Sequence, residues 1–200
     1  MLSKIKTIIK NLSGFCKIEN NTKSSIYFHE DFFSQVEFCP YENLEYLRAE
    51  NFKIKEFSEE YSDGNGLFTS VYVREENIPK LIYEKQILSS ELELFLIDLG
   101  LFKIENVFTG YGSHKEKCKN TVAYKFERIE IFVTSKNDYV NDFFITGNRF
   151  QNDDVIKNKL EDILFKIGIK YNLVLNDWDI TEVINLSDKH EIKKYINEEF

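Results

Sequence analysis

The chain has 200 residues, 42% hydrophobic and 30% charged, with 18 Phe and 11 Tyr against 8 Gly and 2 Pro. That balance excludes a collagenous, low-complexity or disordered chain, and the length suffices to bury a core without disulfides or metals. The net charge of −8 is concentrated, because residues 30–63 hold ten carboxylates against Arg48, Lys53 and Lys55; such a surface repels phosphate backbones and attracts basic proteins, so nucleic acid is not an expected partner.

Residues 1–12 place Leu2, Ile5, Ile8, Ile9 and Leu12 at helical spacing with lysines on the other face, and the polar link 19–25 follows. Lys4, Lys6 and Lys10 leave no apolar region for a secretion signal, and no run reaches the ~20 apolar residues needed to span a bilayer, so no membrane partner is expected. Cys16, Cys39 and Cys118 are an odd set at wide spacing, which implies neither a disulfide framework nor a zinc ribbon and fits a reducing cytoplasm.

The run YFHEDFFSQVEFCP, residues 27–40, alternates with period two: Phe32, Ser34, Val36 and Phe38 on a core face, and His29, Asp31, Phe33, Gln35 and Glu37 on the other. Pro40 is expected to end this strand. Residues 41–57 read as a helix through Leu44 and Leu47 or, near Phe52 and Ile54, as a short strand. SDGNG (62–66) marks a turn, and LFTSVYVR (67–74) reads as a strand.

A helix is expected after Pro79 through Ile78, Leu81, Ile82 and Leu88, and another from Ser90, with Glu93 completing a capping box, to just before Gly100. Residues 101–109 and 121–134 read as a hairpin around TGYGSHKEKCKN. Within the second strand the apolar parity switches from Val122, Tyr124 and Phe126 to Ile129, Ile131 and Val133, which predicts a bulge or bend near Glu127 and Arg128. A strand over 139–146, a helix over 153–168 stopped by Gly168, two short strands around IKYNLVL and WDITEVI, and a helix from Ser187 burying Ile192, Tyr195 and Ile196 complete the chain. The pattern predicts one α+β domain over residues 1–200, with residues 25–200 as its body: a mainly antiparallel sheet of six to seven strands packed with three to five helices.

Chemistry is sparse. His29, Glu30 and Asp31 form the one compact group able to act as acid, base or ligand. His114 and Cys118 are four apart without a second pair, GxSxG is absent, and GYGSHKEKCK leads into a strand rather than the helix start a phosphate loop requires. Neither a catalytic residue, a metal nor a cofactor is therefore assigned. NDWDI (176–180) flanks the only tryptophan with Asp177 and Asp179, a composition suited to a basic partner.

In overall character the whole chain resembles the immunity proteins that protect bacteria from polymorphic or contact-dependent toxins, and HEDFFSQVEFCP resembles strands of such small bacterial proteins. The resemblance implies a non-enzymatic cytoplasmic inhibitor that caps the active site or substrate groove of a cognate basic toxin. The candidate partner-binding residues are Glu30, Asp31, Glu37, Glu56, Glu59, Glu60 and Asp63, then Asp177, Trp178 and Asp179. The competing expectations are a small enzyme or metal-binding protein using His29, Glu30 and Asp31, and a structural or adaptor subunit with a large exposed apolar patch.

Overall fold

A computed structural model of the chain describes residues 24–65, 67, 69–73, 78–149 and 153–198. The amphipathic segment expected over 1–12 lies outside them. Among the described residues ten strands form two sheets: β1 (Ser25–His29), β4 (Asn106–Gly110) and β5 (Glu116–Lys117) in the order β1-β4-β5, and a seven-stranded sheet in the order β10-β9-β2-β8-β7-β6-β3. The latter holds β2 (Val36–Pro40), β3 (Phe102–Ile104), β6 (Thr121–Phe126), β7 (Ile129–Lys136), β8 (Tyr139–Thr146), β9 (Leu173–Asp177) and β10 (Glu182–Asn185). All its pairings are antiparallel, whereas β1 and β4 run parallel. Four helices among the described residues complete the α+β fold: α1 (Leu44–Tyr61), α2 (Ser89–Asp98), α3 (Asp154–Tyr171) and α4 (Lys189–Asn197).

Alternation along the central strands builds apolar cores on both faces of the large sheet. Phe38, Tyr124, Ile131, Phe143 and Leu175 face α2, α3 and α4, meeting Leu92, Leu96, Leu160, Ile163, Leu164 and Ile192. On the opposite face Phe132 and Phe144 pack under the small sheet through Phe28 and Val107, while Cys39, Val174 and Val183 pack under α1 through Leu44 and Leu47. Each such fully buried aliphatic or aromatic side chain contributes about 1.5–3 kcal/mol. Two separate layers therefore share that second face.

The parity switch has a simple origin. The chain reverses completely at Glu127 and Arg128, with Glu127 at φ 51, and the pairs Val122↔Val133, Tyr124↔Ile131 and Phe126↔Ile129 bring both parities onto one face. The expected bend is thus a hairpin turn, and the irregular register falls instead between Thr134 and Ser135. Residues 101–109 are likewise two strands: β3 pairs with β6, and after the exposed Glu105 the chain crosses to the small sheet as β4.

Helix ends follow side-chain chemistry at α3 and α4. Asp153 Oδ1 accepts from the Val155 N–H at 2.7 Å, and Asp188 Oδ1 from the His190 N–H at 2.8 Å. Gly168 does not stop α3; it is buried within it, and the helix ends at Asn172, which takes φ 53. A Cβ at 168 would stand 2.3 Å from Leu186 Cβ, so the glycine admits a neighbouring chain segment. The capping box expected at Ser90 is absent, since α2 starts at Ser89 after Leu88 without a side-chain cap. The expected helix after Pro79 is only a 3-10 turn, Ile82–Lys85. Residues 67 and 69–73 form no strand, and Val71 and Val73 are exposed.

Candidate functional site

The run 27–40 is not one strand. After β1 the chain makes a 3-10 turn, Glu30–Phe32, and Ser34 takes φ 51 before β2 begins at Val36. The break is required because β1 belongs to the small sheet and β2 to the large one. It overturns the expected facing: Phe32 is 54% exposed, while Phe33, still 50% exposed, lays its ring against Phe28 and Phe144 at centroid distances of 6.5 and 5.2 Å.

His29 sits at the start of this turn. Its Nδ1 accepts from the Asp31 N–H at 3.3 Å and lies 3.2 Å from Asp31 Oδ2. The ring is flanked by Phe32 at 6.2 Å and by Tyr111 at 5.1 Å, both edge-on. Tyr111 arrives there because β1 and β4 pair His29 with Gly110 in parallel register. Exposed Glu30 and Asp31 border these rings. The result is an aromatic patch with an acidic rim.

The second sequence candidate joins this end of the sheet through the β2–β9 register, which sets Val36 opposite Asp177. The Trp178 N–H donates to the Gln35 carbonyl at 3.0 Å, and its indole Nε1–H to Glu37 Oε1 at 2.7 Å. Trp178 is half-buried and packs onto the core beneath α1. Asp179 is exposed and forms an ion pair with Arg149. Asp31, Phe32, Val36, Ile145, Arg149 and Asp179 together edge a cavity of about 460 Å³.

Asp177 does not present itself to a partner. It is fully buried on the other face of the sheet, where Oδ2 accepts from the Tyr195 hydroxyl at 2.7 Å and Oδ1 from the Asp179 and Ile180 N–H groups at 3.0 and 3.3 Å. Asn148 in turn donates to the Tyr195 hydroxyl oxygen. Burial pushes the Asp177 carboxyl above its ordinary range, and the Tyr195 hydroxyl, the two N–H groups and the Arg149 charge only partly offset it. Burial, then the Asp177 charge, pushes Tyr195 upward too.

The other acidic candidates stand apart. Glu56, Glu59 and Glu60 are exposed on α1, about 9 to 15 Å along its axis from Glu50 at 1.5 Å per residue. Asp63 Oδ1 accepts from the Asn65 and Leu67 N–H groups at 2.8 and 3.0 Å, bonds that hold its carboxyl below the ordinary range. Glu42 and Glu45 pair with Lys80 and Arg48. The acidic stretch 30–63 is therefore not one patch; it is divided by the fold and partly neutralised.

The potential metal donors are equally dispersed. Cys39 is buried beneath α1 with its thiol pushed well up, first by burial and then by Glu37. His114 is exposed in a loop, and His190 is exposed on α4, which packs on the opposite face of the sheet. Among the described residues no group of three or more His, Cys, Asp or Glu is placed to hold a metal ion, and no helix among them is long and apolar enough to cross a membrane.

Sequence reasoning missed Tyr111 and Arg149, and with them the buried Glu50 of α1. For Glu50 a signal existed: it lies three residues after Leu47 on the inward stripe of α1, where a carboxylate is out of place. Tyr111 carried no signal, because only the parallel β1–β4 pairing brings it to His29. Comparison with protein-family models, with curated proteins and with solved structures found no match. The chemistry of the face itself therefore carries the functional reading: rings for apolar contact, carboxylates for a basic surround.

Proposed function

We propose that the protein is a non-enzymatic, cytoplasmic immunity-type inhibitor that binds a basic toxin through the face around His29 and caps its active site or substrate groove. One observation carries the reading. Phe32 and Tyr111, 54% and 65% exposed, are held around His29 with Glu30 and Asp31 beside them. Exposed rings held in place by ordered neighbours lose little entropy on docking and serve as anchors, while a carboxylate rim steers a basic surface and accelerates encounter. Asp179, paired with Arg149, stands across the neighbouring cavity from Asp31 and Phe32.

Calorimetry with the product of a toxin-like gene neighbouring this one tests the proposal. A 1:1 complex tighter than about 1 μM is expected, with Phe32→Ala and Tyr111→Ala each weakening it about tenfold or more. Absence of binding at about 10 μM of both proteins overturns it. The 3.2 Å His29–Asp31 contact supports the second reading, a small enzyme or metal-binding protein. That reading requires stoichiometric metal in elemental analysis, or an activity lost in His29→Ala; neither outcome is expected from an inhibitor.

A further inference from the structure

The small sheet turns one set of side chains inward and the alternate set outward. Ile26, Phe28 and Val107 pack onto Phe132 and Phe144, so Tyr27 and His29 of β1 and Phe108 of β4 look away from the large sheet. The strand registers set Tyr27 beside Phe108, and Phe108 beside Lys117, on that outer face.

Two lysines hold one side of this face. Lys115 Nζ lies 4.8 Å over the Tyr27 ring, whose hydroxyl donates to the Gly110 carbonyl at 2.7 Å, and Lys117 Nζ donates to the neutral Asn106 Oδ1 at 3.0 Å. Both lysines are exposed, and neither forms an ion pair with a described residue. Glu116, between them, lies opposite Thr109 and is turned the other way by the alternation of the strand. Two carboxylates hold the other side, where β1 ends: Glu30 is exposed and forms no ion pair with a described residue, and Asp31 meets the His29 ring at 3.2 Å. Between the two charged sides stand the rings of Tyr27, His29 and Tyr111, with Tyr27 and His29 about 7 Å apart along β1.

Such a face is complementary to itself. Two copies laid face to face about a two-fold axis through the rings set the carboxylates of each over the lysines of the other, and every contact is made twice. A second copy thus satisfies both pairs of charges and covers the exposed rings, whereas a surface of one sign satisfies one pair only. A nucleic-acid strand meets, in addition, the net charge of −8 on the whole chain.

We propose that the outer face of the small sheet is a self-association surface, on which a second copy of this chain docks by a two-fold operation with Glu30 and Asp31 of each copy against Lys115 and Lys117 of the other. The inference goes beyond the inhibitor reading and stands without it. Where both hold, a toxin engaging the acidic turn competes with the second copy for Phe32 and Tyr111.

Sedimentation equilibrium of the full chain reads the association with no other protein present. A reversible dimer is expected, with a dissociation constant below about 100 μM. Lys115→Glu with Lys117→Glu, and separately Glu30→Lys with Asp31→Lys, are each expected to weaken it about tenfold or more, and an equimolar mixture of the two double variants to restore it. The second pair lowers the net negative charge, so its loss of association is not general repulsion. Should either reversal fail to fold by circular dichroism, Lys115→Gln with Lys117→Gln and Glu30→Gln with Asp31→Asn take their place, each expected to weaken the dimer about tenfold. A wild-type chain that stays monomeric at about 200 μM, or a dimer indifferent to the substitutions on either side, overturns the proposal. So does a mixture of the two reversals that fails to associate. Fluorescence anisotropy with a labelled oligouridylate tests the other occupant: saturable binding to a monomeric chain, lost in the lysine reversal, assigns the face to nucleic acid and overturns the proposal too. Toxin binding is read separately by calorimetry, so failure of the dimer and failure of the inhibitor reading are distinguishable.

Discussion

The Trp178 indole N–H donates to Glu37 Oε1 at 2.7 Å across 141 residues of sequence. The bond links the residue after β9 to the second residue of β2 and fixes the ring over the core beneath α1. Trp178→Phe keeps most of the packing and loses the hydrogen bond, so it costs about 1 kcal/mol. Trp178→Ala also loses the buried part of the ring and costs about 3 kcal/mol. Urea denaturation of the two variants measures the difference: a Trp178→Phe variant as stable as wild type sinks the assignment of the bond, and equal costs sink that of the packing.

Asp177 gives stability a distinctive dependence on pH. Its folded carboxyl titrates above the ordinary range because it is buried. The folded state therefore holds that proton more tightly than the unfolded state, and the contribution from Asp177 is fully present below the ordinary carboxylate range and lost as pH rises through the raised value. Asp177→Asn cannot titrate, so the stability difference between wild type and variant should shift in favour of the variant as pH rises above the ordinary carboxylate range of about 4. Parallel urea midpoints above that range refute the assignment. Asp177→Ala strands the Tyr195 hydroxyl and two N–H groups and costs about 3 kcal/mol.

Phe32 and Phe33 are adjacent and similarly exposed, yet they differ in what they touch. Phe33 packs on Phe28 and Phe144, whereas the ring contact of Phe32 is with His29 on the surface. Phe32→Ala is expected to leave stability within about 0.5 kcal/mol, while Phe33→Ala costs about 1 kcal/mol or more. Thermal melts of both variants decide the point, and a large loss in Phe32→Ala makes that ring structural.

Gly168→Ala sets helix propensity against packing. Alanine in a helix interior gains about 1 kcal/mol over glycine, but the new methyl meets Leu186 Cβ at 2.3 Å and the Leu186 carbonyl oxygen at 2.6 Å. Neither is the far end of a flexible side chain, so the overpacking cost of about 1–3 kcal/mol prevails. Leu186→Ala gives no rescue, because it retains both clashing atoms. A more stable Gly168→Ala variant in chemical denaturation contradicts this packing.

Much of the scaffold was legible because its signals are local. The apolar stripe of α3, the strand over 139–146, and the buried side chains Ile192, Tyr195 and Ile196 of α4 all stand where periodicity places them. The parity switch at Glu127 was also legible; reading it as a bulge or bend within one strand failed because alternation counts faces and is blind to a reversal that restores the same face. Gly168 misled for a related reason. A glycine needed for close approach looks, in sequence, like one needed for a left-handed stop.

By itself the sequence determined that alternating and helical patterns condense into a sheet with helices, and that the acidic residues cluster along the chain. Where those residues lie in space depends on pairings between distant segments. Two sheets claim opposite ends of the run 27–40, which forces the turn that exposes Phe32 and brings His29 to Tyr111. The β2–β9 pairing decides that Trp178 meets Glu37 while Asp177, one residue earlier, is turned inward to Tyr195. The physical reason is the period of two: side-chain direction is local, but which layer lies on each side is set by strand pairings between distant segments.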